Sequence, residues 1–233
     1  MSPKAAPPRP VPRLYLATPV IDDPSQLTAR LAALVAGFDV AAVLVRLSAA
    51  DPRTLISRIK ALAPAIQAGG AALLLDGHAD LVARSGADGA HLAGIDALQE
   101  ALPALKPDRI AGAGGLSTRH DSMIAGEAGA DYVLFGEPDQ TGERPSADAI
   151  AERLKWWAEL FEPPCVGYAA SCEEARIFAA SGADFILAGD FVWNDPRGAE
   201  TALAGVAEAI TQGRGSQDGQ TVPATEAEGG AAG

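Results

Sequence analysis

Aromatic side chains make up only 5% of this 233-residue chain, and histidine (3), cysteine (2) and methionine (2) are rarer still. Cys165 and Cys172 are too few for a disulfide framework, and their spacing fits no common zinc or redox motif. A reduced, cytoplasmic setting is the expectation. The histidines, at positions 78, 91 and 120, lack the spacing of a metal-ligand set. Positive charge is also in short supply: 18 Lys and Arg stand against 30 Asp and Glu, for a net charge of −12. That balance argues against nonspecific nucleic-acid or anionic-membrane binding, although it leaves room for a local basic site holding a phosphorylated small molecule. No apolar run reaches membrane-spanning length. The first dozen residues are Pro-rich and lack the apolar core of a signal peptide. Nothing in the sequence specifies an oligomeric state.

What is abundant is small aliphatic bulk, since 48% of residues are hydrophobic and most of these are Ala, Leu, Val and Ile. One pattern organises them. Three times an alanine-rich helical stretch ends in a small residue, Gly-Ala-Asp, a short apolar run and glycine: 85–94, 128–136 and 181–189. The first glycine of each copy stands where a helix C-terminus needs a left-handed residue. The run after it is too short for a helix and reads as a buried parallel strand. Repetition of one αβ joint points to a parallel α/β fold.

Eight strand-then-helix units fit between residues 13 and 212. The strands are expected near Arg13–Thr18, Ala41–Leu47, Ala71–Asp76, Asp88–Leu92, Arg109–Gly112, Asp131–Phe135, Cys165–Tyr168 and Asp184–Ala188. Pro24–Ala36, Arg53–Gln67, Ser146–Glu159 and Cys172–Ala180 read as helices, with Ser146 able to cap its own. Eight such units with short joints favour a closed (β/α)8 TIM barrel, a single domain, over an open doubly wound sheet. Residues 1–12 are expected to form a flexible arm and 213–233 a disordered tail, because neither has the composition to bury surface. Gly112-Ala113-Gly114-Gly115 lacks dinucleotide-loop spacing and reads as a glycine-rich loop after the fifth strand.

Barrel chemistry collects at the C-terminal ends of the strands. Read in order, those ends offer Thr18, Arg46, Asp76, Asp96, Ser117, Thr141 with Arg144, Gly167-Tyr168 and Gly189-Asp190. Asp76 closes the run Ala-Ala-Leu-Leu-Leu, which places its carboxylate at the rim. Asp76 and Asp96 together suit Mg²⁺, which takes oxygen ligands and keeps waters; Asp96 as a helix cap is the competing reading. Arg46 can fork onto a phosphate or pair with a loop acid. Ser117 can donate to an oxyanion or, with Thr118, cap the next helix. Thr141 and Arg144 lie in a loop long enough to fold over a ligand, or simply to be solvated. His91 falls inside a strand and reads as a satisfied core imidazole. Trp156-Trp157 reads as packing. No nucleophile elbow, P-loop or paired cysteine nucleophile is present.

Taken together, these residues resemble the thiamin phosphate synthase family and its thiazole tautomerase relatives, from about Arg13 to Ile210. Gly86-Ala87-Asp88-Gly89-Ala90-His91-Leu92 followed by Asp96 resembles the family's Gly-Ala-Asp-Gly-x-His-x-Gly-Gln-x-Asp segment and is the most specific match. Leu14-Tyr15-Leu16, Leu73 to Leu81, Leu116-Ser117-Thr118 and Ala130 to Gly136 resemble other family segments in register. The resemblance implies joining of hydroxymethylpyrimidine diphosphate to thiazole phosphate with release of diphosphate, as a transferase of thiamin biosynthesis. By the same resemblance Asp76 and Asp96 match magnesium ligands, Arg46 an arginine near the pyrimidine diphosphate, and Ser117 and Thr141 diphosphate contacts. Arg144 keeps the cation of the family's Thr-x-Thr-Lys loop.

The chain departs from that pattern at several places. Leu75 replaces an Asn, Gly77 an Arg, Ser48 a Lys, and Ala93-Gly94 a Gly-Gln; Glu143 adds an acid to the long loop. Gly167 and Gly189 stand where the family binds the thiazole phosphate, but Tyr168 and Asp190 follow them, so this phosphate site is expected to be degenerate. Two alternatives therefore stay open. One is a thiazole tautomerase-like isomerase, with His120 one residue displaced from the relevant Ser-x-His pattern. The other is a non-catalytic paralogue that binds a pyrimidine or thiazole ligand or regulates a partner.

Overall fold

Each Gly-Ala-Asp copy turns a helix into a strand at the same end of a barrel. The computed structural model describes residues 10–139 and 141–219, the side chains of 216–219 excepted. Its strands are β1 (Arg13–Ile21), β2 (Val40–Leu47), β3 (Ala72–Asp76), β4 (Gly89–Ala93), β5 (Ile110–Gly114), β6 (Tyr132–Phe135), β7 (Cys165–Ala169) and β8 (Phe185–Ala188). They run parallel, pair in chain order and close through β1 and β8, with Leu14 opposite Ile186. Around them lie α1 (Ser25–Gly37), α2 (Pro52–Gln67), α3 (Val82–Ser85, after a 3₁₀ turn at Ala79–Leu81), α4 (Ile95–Leu105), α5 (Arg119–Ala128), α6 (Ala147–Leu160), α7 (Cys172–Ala180), α8 (Asp190–Trp193) and α9 (Ala199–Gly219). The expected (β/α)8 barrel is the observed one.

The joints work by a shared clasp. Gly86 and Gly129 take left-handed φ values of 82° and 99° at the ends of α3 and α5, and Gly182 takes 93° just after α7. The aspartate two places on then grips the strand before its own. Asp88 donates its N–H to Leu73 O and accepts Leu73 N–H on its carboxylate (2.8 and 2.7 Å). Asp131 makes the same two bonds with Ala111 (2.8 and 2.7 Å), and Asp184 with Cys165 (2.9 and 2.8 Å). Strand-opening amides at a barrel end have no ladder partner, and leaving one unmade costs about 1–3 kcal/mol. The repeat is thus a device for satisfying odd strands from even ones.

Helix starts follow local chemistry. Asp51 accepts from the amides of Arg53 and Thr54 ahead of α2, and Pro52 takes the first position, where no amide is needed. Thr118 and Asp121 form a reciprocal capping box on α5. Ser146 caps α6 as expected, and Ser171 caps α7.

Two regions differ from the sequence expectation. β1 continues past Thr18 to Ile21 with a register shift, so β1 and β2 stand above the other strands. α9 runs on to Gly219, beyond the expected barrel end at 212. Within that extension the bare Cα of Gly213 lies against the Arg176 carbonyl and Ala179 of α7, where a side chain would collide. Residues 1–9 and 220–233, which hold most of the two expected tails, lie outside the described residues.

Candidate active site

The barrel interior carries a chain of polar groups where branched aliphatics are the rule. Tyr15 and Tyr132 point inward from β1 and β6 and join hydroxyls at 2.9 Å. Tyr132 also meets His91 Nδ1 at 3.0 Å, and His91 Nε2 lies 2.8 Å from Glu137 Oε1. Glu137 Oε2 accepts the Gly115 amide at 2.7 Å. Four side chains from three strands and one loop therefore link the core to the rim.

Two glycines make the room. A Cβ on Gly112 would run into the Tyr132 ring, and one on Gly114 would run into Glu137 and His91. The glycines read as a loop are largely strand: Gly112 and Gly114 belong to β5, and Gly115 follows at φ 61°. Their meaning is steric.

Burial sets the electrostatics of this chain. It opposes charge on His91, but the nearby Glu137 carboxylate outweighs it by charge and hydrogen bond, so the His91 pKa is raised. Burial also opposes charge on Glu137; His91 and the Gly115 amide reverse that, and its pKa is lowered. The pair therefore favours its ionised form. Tyr15 and Tyr132 are pushed up, chiefly by burial, and stay neutral. Sequence reasoning placed His91 in the core, where both its nitrogens are indeed bonded, but it missed Glu137. The available signal was an acid immediately after the Gly136 that closes β6.

Asp76 ends β3 opposite His91 in the ladder. Its carboxylate opens to solvent at the mouth yet is ringed by barrel atoms; desolvation, with Glu137 pushing the same way, raises its pKa against the opposing His91, Arg46 and His78. Asp96 is exposed in the first turn of α4, which begins at Ile95 after Gly94, so it is not the N-cap. It borders a shallow cleft of about 270 Å³ with Gly94, Gly115, Leu116 and Asp121. A larger cleft of about 350 Å³ adjoins it through Gly115 and Leu116, with Ser117, Gly136, Glu137 and Glu143 among its lining. Ser117 is exposed there. Among the described residues no three His, Cys, Asp or Glu side chains converge on one point. Mg²⁺ needs no such cage, since one or two carboxylates with waters and a phosphate suffice. Asp76, crowded by a second carboxylate and hydrogen-bonded to no cation among the described residues, has the donor chemistry that a hard cation fits.

The expected cations are engaged elsewhere. Arg46 bonds the Thr18 carbonyl through Nε and pairs with Asp190, the ion pair that was the alternative to phosphate. Arg144 donates to Gly136 O (3.0 Å), Tyr168 O (2.6 Å) and Glu174 (2.8 Å), which ties its own segment of the loop to Gly136, β7 and α7. Thr141 spends its hydroxyl on Asp139 at 2.6 Å. Gly167 lies within β7, where a Cβ would press on Phe178 and Leu154, so packing against the helices accounts for it rather than a ligand. Gly189 does face the mouth, near Ala17, the Tyr168 hydroxyl and Arg46. His120 is exposed at the start of α5 and lines neither cleft.

Comparison with known proteins adds to this geometry. The family model described as thiamine monophosphate synthase matches residues 14–192. Thiamine-phosphate synthase of Rhodospirillum centenum is 40% identical over 195 residues, covering 82% of this chain and 94% of that protein. The Hyphomonas neptunium protein of the same name is 35% identical over 207 residues, covering 85% and 93%. Among solved structures, thiamine phosphate pyrophosphorylase from Pyrococcus furiosus superposes with a TM-score of 0.70 at 22% identity, over 86% of this chain and 96% of that one. The Salmonella typhimurium 3-hexulose-6-phosphate synthase does so at 0.65 and 16%, over 86% and 99%. At those identities the structural matches speak for the fold.

Proposed function

The chain belongs to the thiamine monophosphate synthase family, and from that premise we propose that it joins hydroxymethylpyrimidine diphosphate to thiazole phosphate at the upper rim, releasing diphosphate. The observation that carries this reading is the 40% identity over nearly the whole of a relative bearing the synthase name. Asp76 at the end of β3 and Asp96 in the first turn of α4 are the carboxylates this reading assigns to the metal.

In this reading Asp76 and Asp96 would hold Mg²⁺, and the bound ion would supply countercharge to a diphosphate leaving group. Ser117 donates to a diphosphate oxygen from the wall of the larger cleft. Arg144 and Thr141 act one step back: the guanidinium holds its own segment of the loop against β7, and the hydroxyl shapes its turn around Asp139. Arg46 serves the anion only by exchanging Asp190 for it. The thiazole phosphate meets Gly189 at the mouth, with Asp190 beside it as an opposing charge, so its anchor is weakened. A cytoplasmic location belongs to the same reading and rests on the low cysteine count of two. No helix among the described residues is long and apolar enough to cross a membrane.

The engaged state of Arg46 favours one second reading, a paralogue that binds a pyrimidine or thiazole ligand without turnover. A single titration separates the two. Hydroxymethylpyrimidine diphosphate is added to the pure protein with and without Mg²⁺, followed by thiazole phosphate, and thiamin phosphate is assayed. The synthase reading expects metal-dependent binding and product. Binding indifferent to Mg²⁺ with no product refutes it.

A further inference from the structure

We propose that Glu137 is the catalytic countercharge for the cation formed in this reaction, an assignment that rests on the synthase reading. When the bond between the pyrimidine methylene and diphosphate breaks, its electron pair leaves on the diphosphate oxygen. The methylene carbon is left positive. The thiazole nitrogen then supplies its lone pair to form the new C–N bond, and the positive charge passes to the thiazolium ring. No proton or external electron is needed. Positive charge is thus present at the transition state and in the product, but absent from the methylene carbon and thiazole ring of the reactants.

Glu137 is built to meet such a charge. Its two oxygens are fixed by His91 Nε2 and the Gly115 amide, at 2.8 and 2.7 Å, so the carboxylate needs no reorganisation. Its side chain keeps 21% of its surface open while His91 beneath it keeps 1%, and it lines the larger cleft beside Ser117 and Gly136. Gly114 is bare for the sake of this pair. His91 pairs with it from the buried side and offsets part of its charge, while the two arginines of that cleft are engaged elsewhere. Arg144 is committed to Glu174 and two carbonyls, and Arg153 to the carbonyls of Leu116 and Ser117. A carboxylate preset in a partly dry site acts most strongly on charge that develops during the reaction.

The test compares the full-length protein with Glu137→Gln, which keeps the shape and can still accept from Gly115. Binding of thiamin phosphate is measured beside that of a neutral isostere carrying thiophene in place of thiazolium, and turnover is followed in parallel. The expected result is loss of about tenfold in affinity for the cation with the isostere unaffected, and a kcat lower by about 10²-fold at nearly constant KM. Equal weakening of both ligands, or an unchanged kcat, overturns the assignment. Should the Gln variant not fold, the parent protein and Glu137→Asp decide: each must prefer the cation to the isostere. A parent protein that turns over substrate without that preference refutes the role of Glu137 alone. A parent protein that makes no product and binds neither ligand refutes the synthase reading itself.

Discussion

At the lower end of the barrel, Asp88, Asp131 and Asp184 make the same pair of bonds to the preceding strand, three times over. At the upper end, the strands that follow those aspartates lead to Asp96, to Glu137 and to Gly189-Asp190, which have no common role. The same βα unit is therefore uniform where it begins and divergent where it ends. A barrel separates stability from chemistry along its axis, and in this chain that division can be read from each repeat to the residues just beyond it.

The sharpest way to break the comparison is to exchange acids at opposite ends. Asp76→Asn is expected to lower metal-dependent turnover by about 10²–10³-fold while leaving the melting temperature nearly unchanged. An equal loss of stability would erase the distinction between the ends. Next in size, Asp88→Ala, Asp131→Ala and Asp184→Ala should each cost about 1–3 kcal/mol by denaturant unfolding, because each leaves a strand amide unmade. Their activity per folded molecule should match the parent. Three widely different values would show that the clasps are not equivalent.

A smaller effect sharpens the upper end. The lowered pKa of Glu137 makes its contribution complete above its ordinary value of 4.5 and lost as pH falls through the folded value. The raised pKa of His91 makes its contribution complete below 6.5 and lost as pH rises through the folded value. Tyr132 and Asp76 also face this pair, but Tyr132 remains neutral throughout. Thermal melts against pH should give the parent its greatest advantage over a Glu137→Gln, His91→Asn double variant between pH 4.5 and 6.5. A flat difference would deny the ion pair. Smallest of all, Asp190→Asn should cost under about 1 kcal/mol, since its carboxylate is exposed. By freeing Arg46 it should tighten inorganic-diphosphate binding by about threefold or more in calorimetry; weaker binding would show that Asp190 positions Arg46 productively.

Local signals carried most of the fold. Helix-ending glycines, short apolar runs and capping residues act within a few positions, so the strands and the joints were legible before any contact was known. The rim position of Asp76 was legible too, because the end of an apolar run marks the rim. What escaped was set by distance across the barrel. Glu137 gains its meaning from His91, 46 residues away; Tyr15 gains its meaning from Tyr132, 117 away. Gly112 and Gly114 looked like loop because a glycine demanded by a distant ring has the same letter as one demanded by a turn. Gly167 was assigned to the mouth for a related reason: strand alternation turns its Cα to the helices, and its neighbour Tyr168 to the site. Arg46 was read as pairing with either a phosphate or an acid, and the structure shows the acid, Asp190; the engagement of Arg144 escaped because two of its acceptors, Tyr168 O and Glu174, lie 24 and 30 residues away.

The aspartate clasps also bear on how the chain finds its shape. Their partners lie only 15, 20 and 19 residues apart in sequence, so the chain entropy lost in closing each is modest. β3 with β4, β5 with β6, and β7 with β8 are each pinned within one βαβ segment, whereas closing β1 against β8 must span almost the whole chain. Barrel assembly is thereby divided into short-range steps and one long-range one, and cuts for circular permutation belong between these pairs rather than within them.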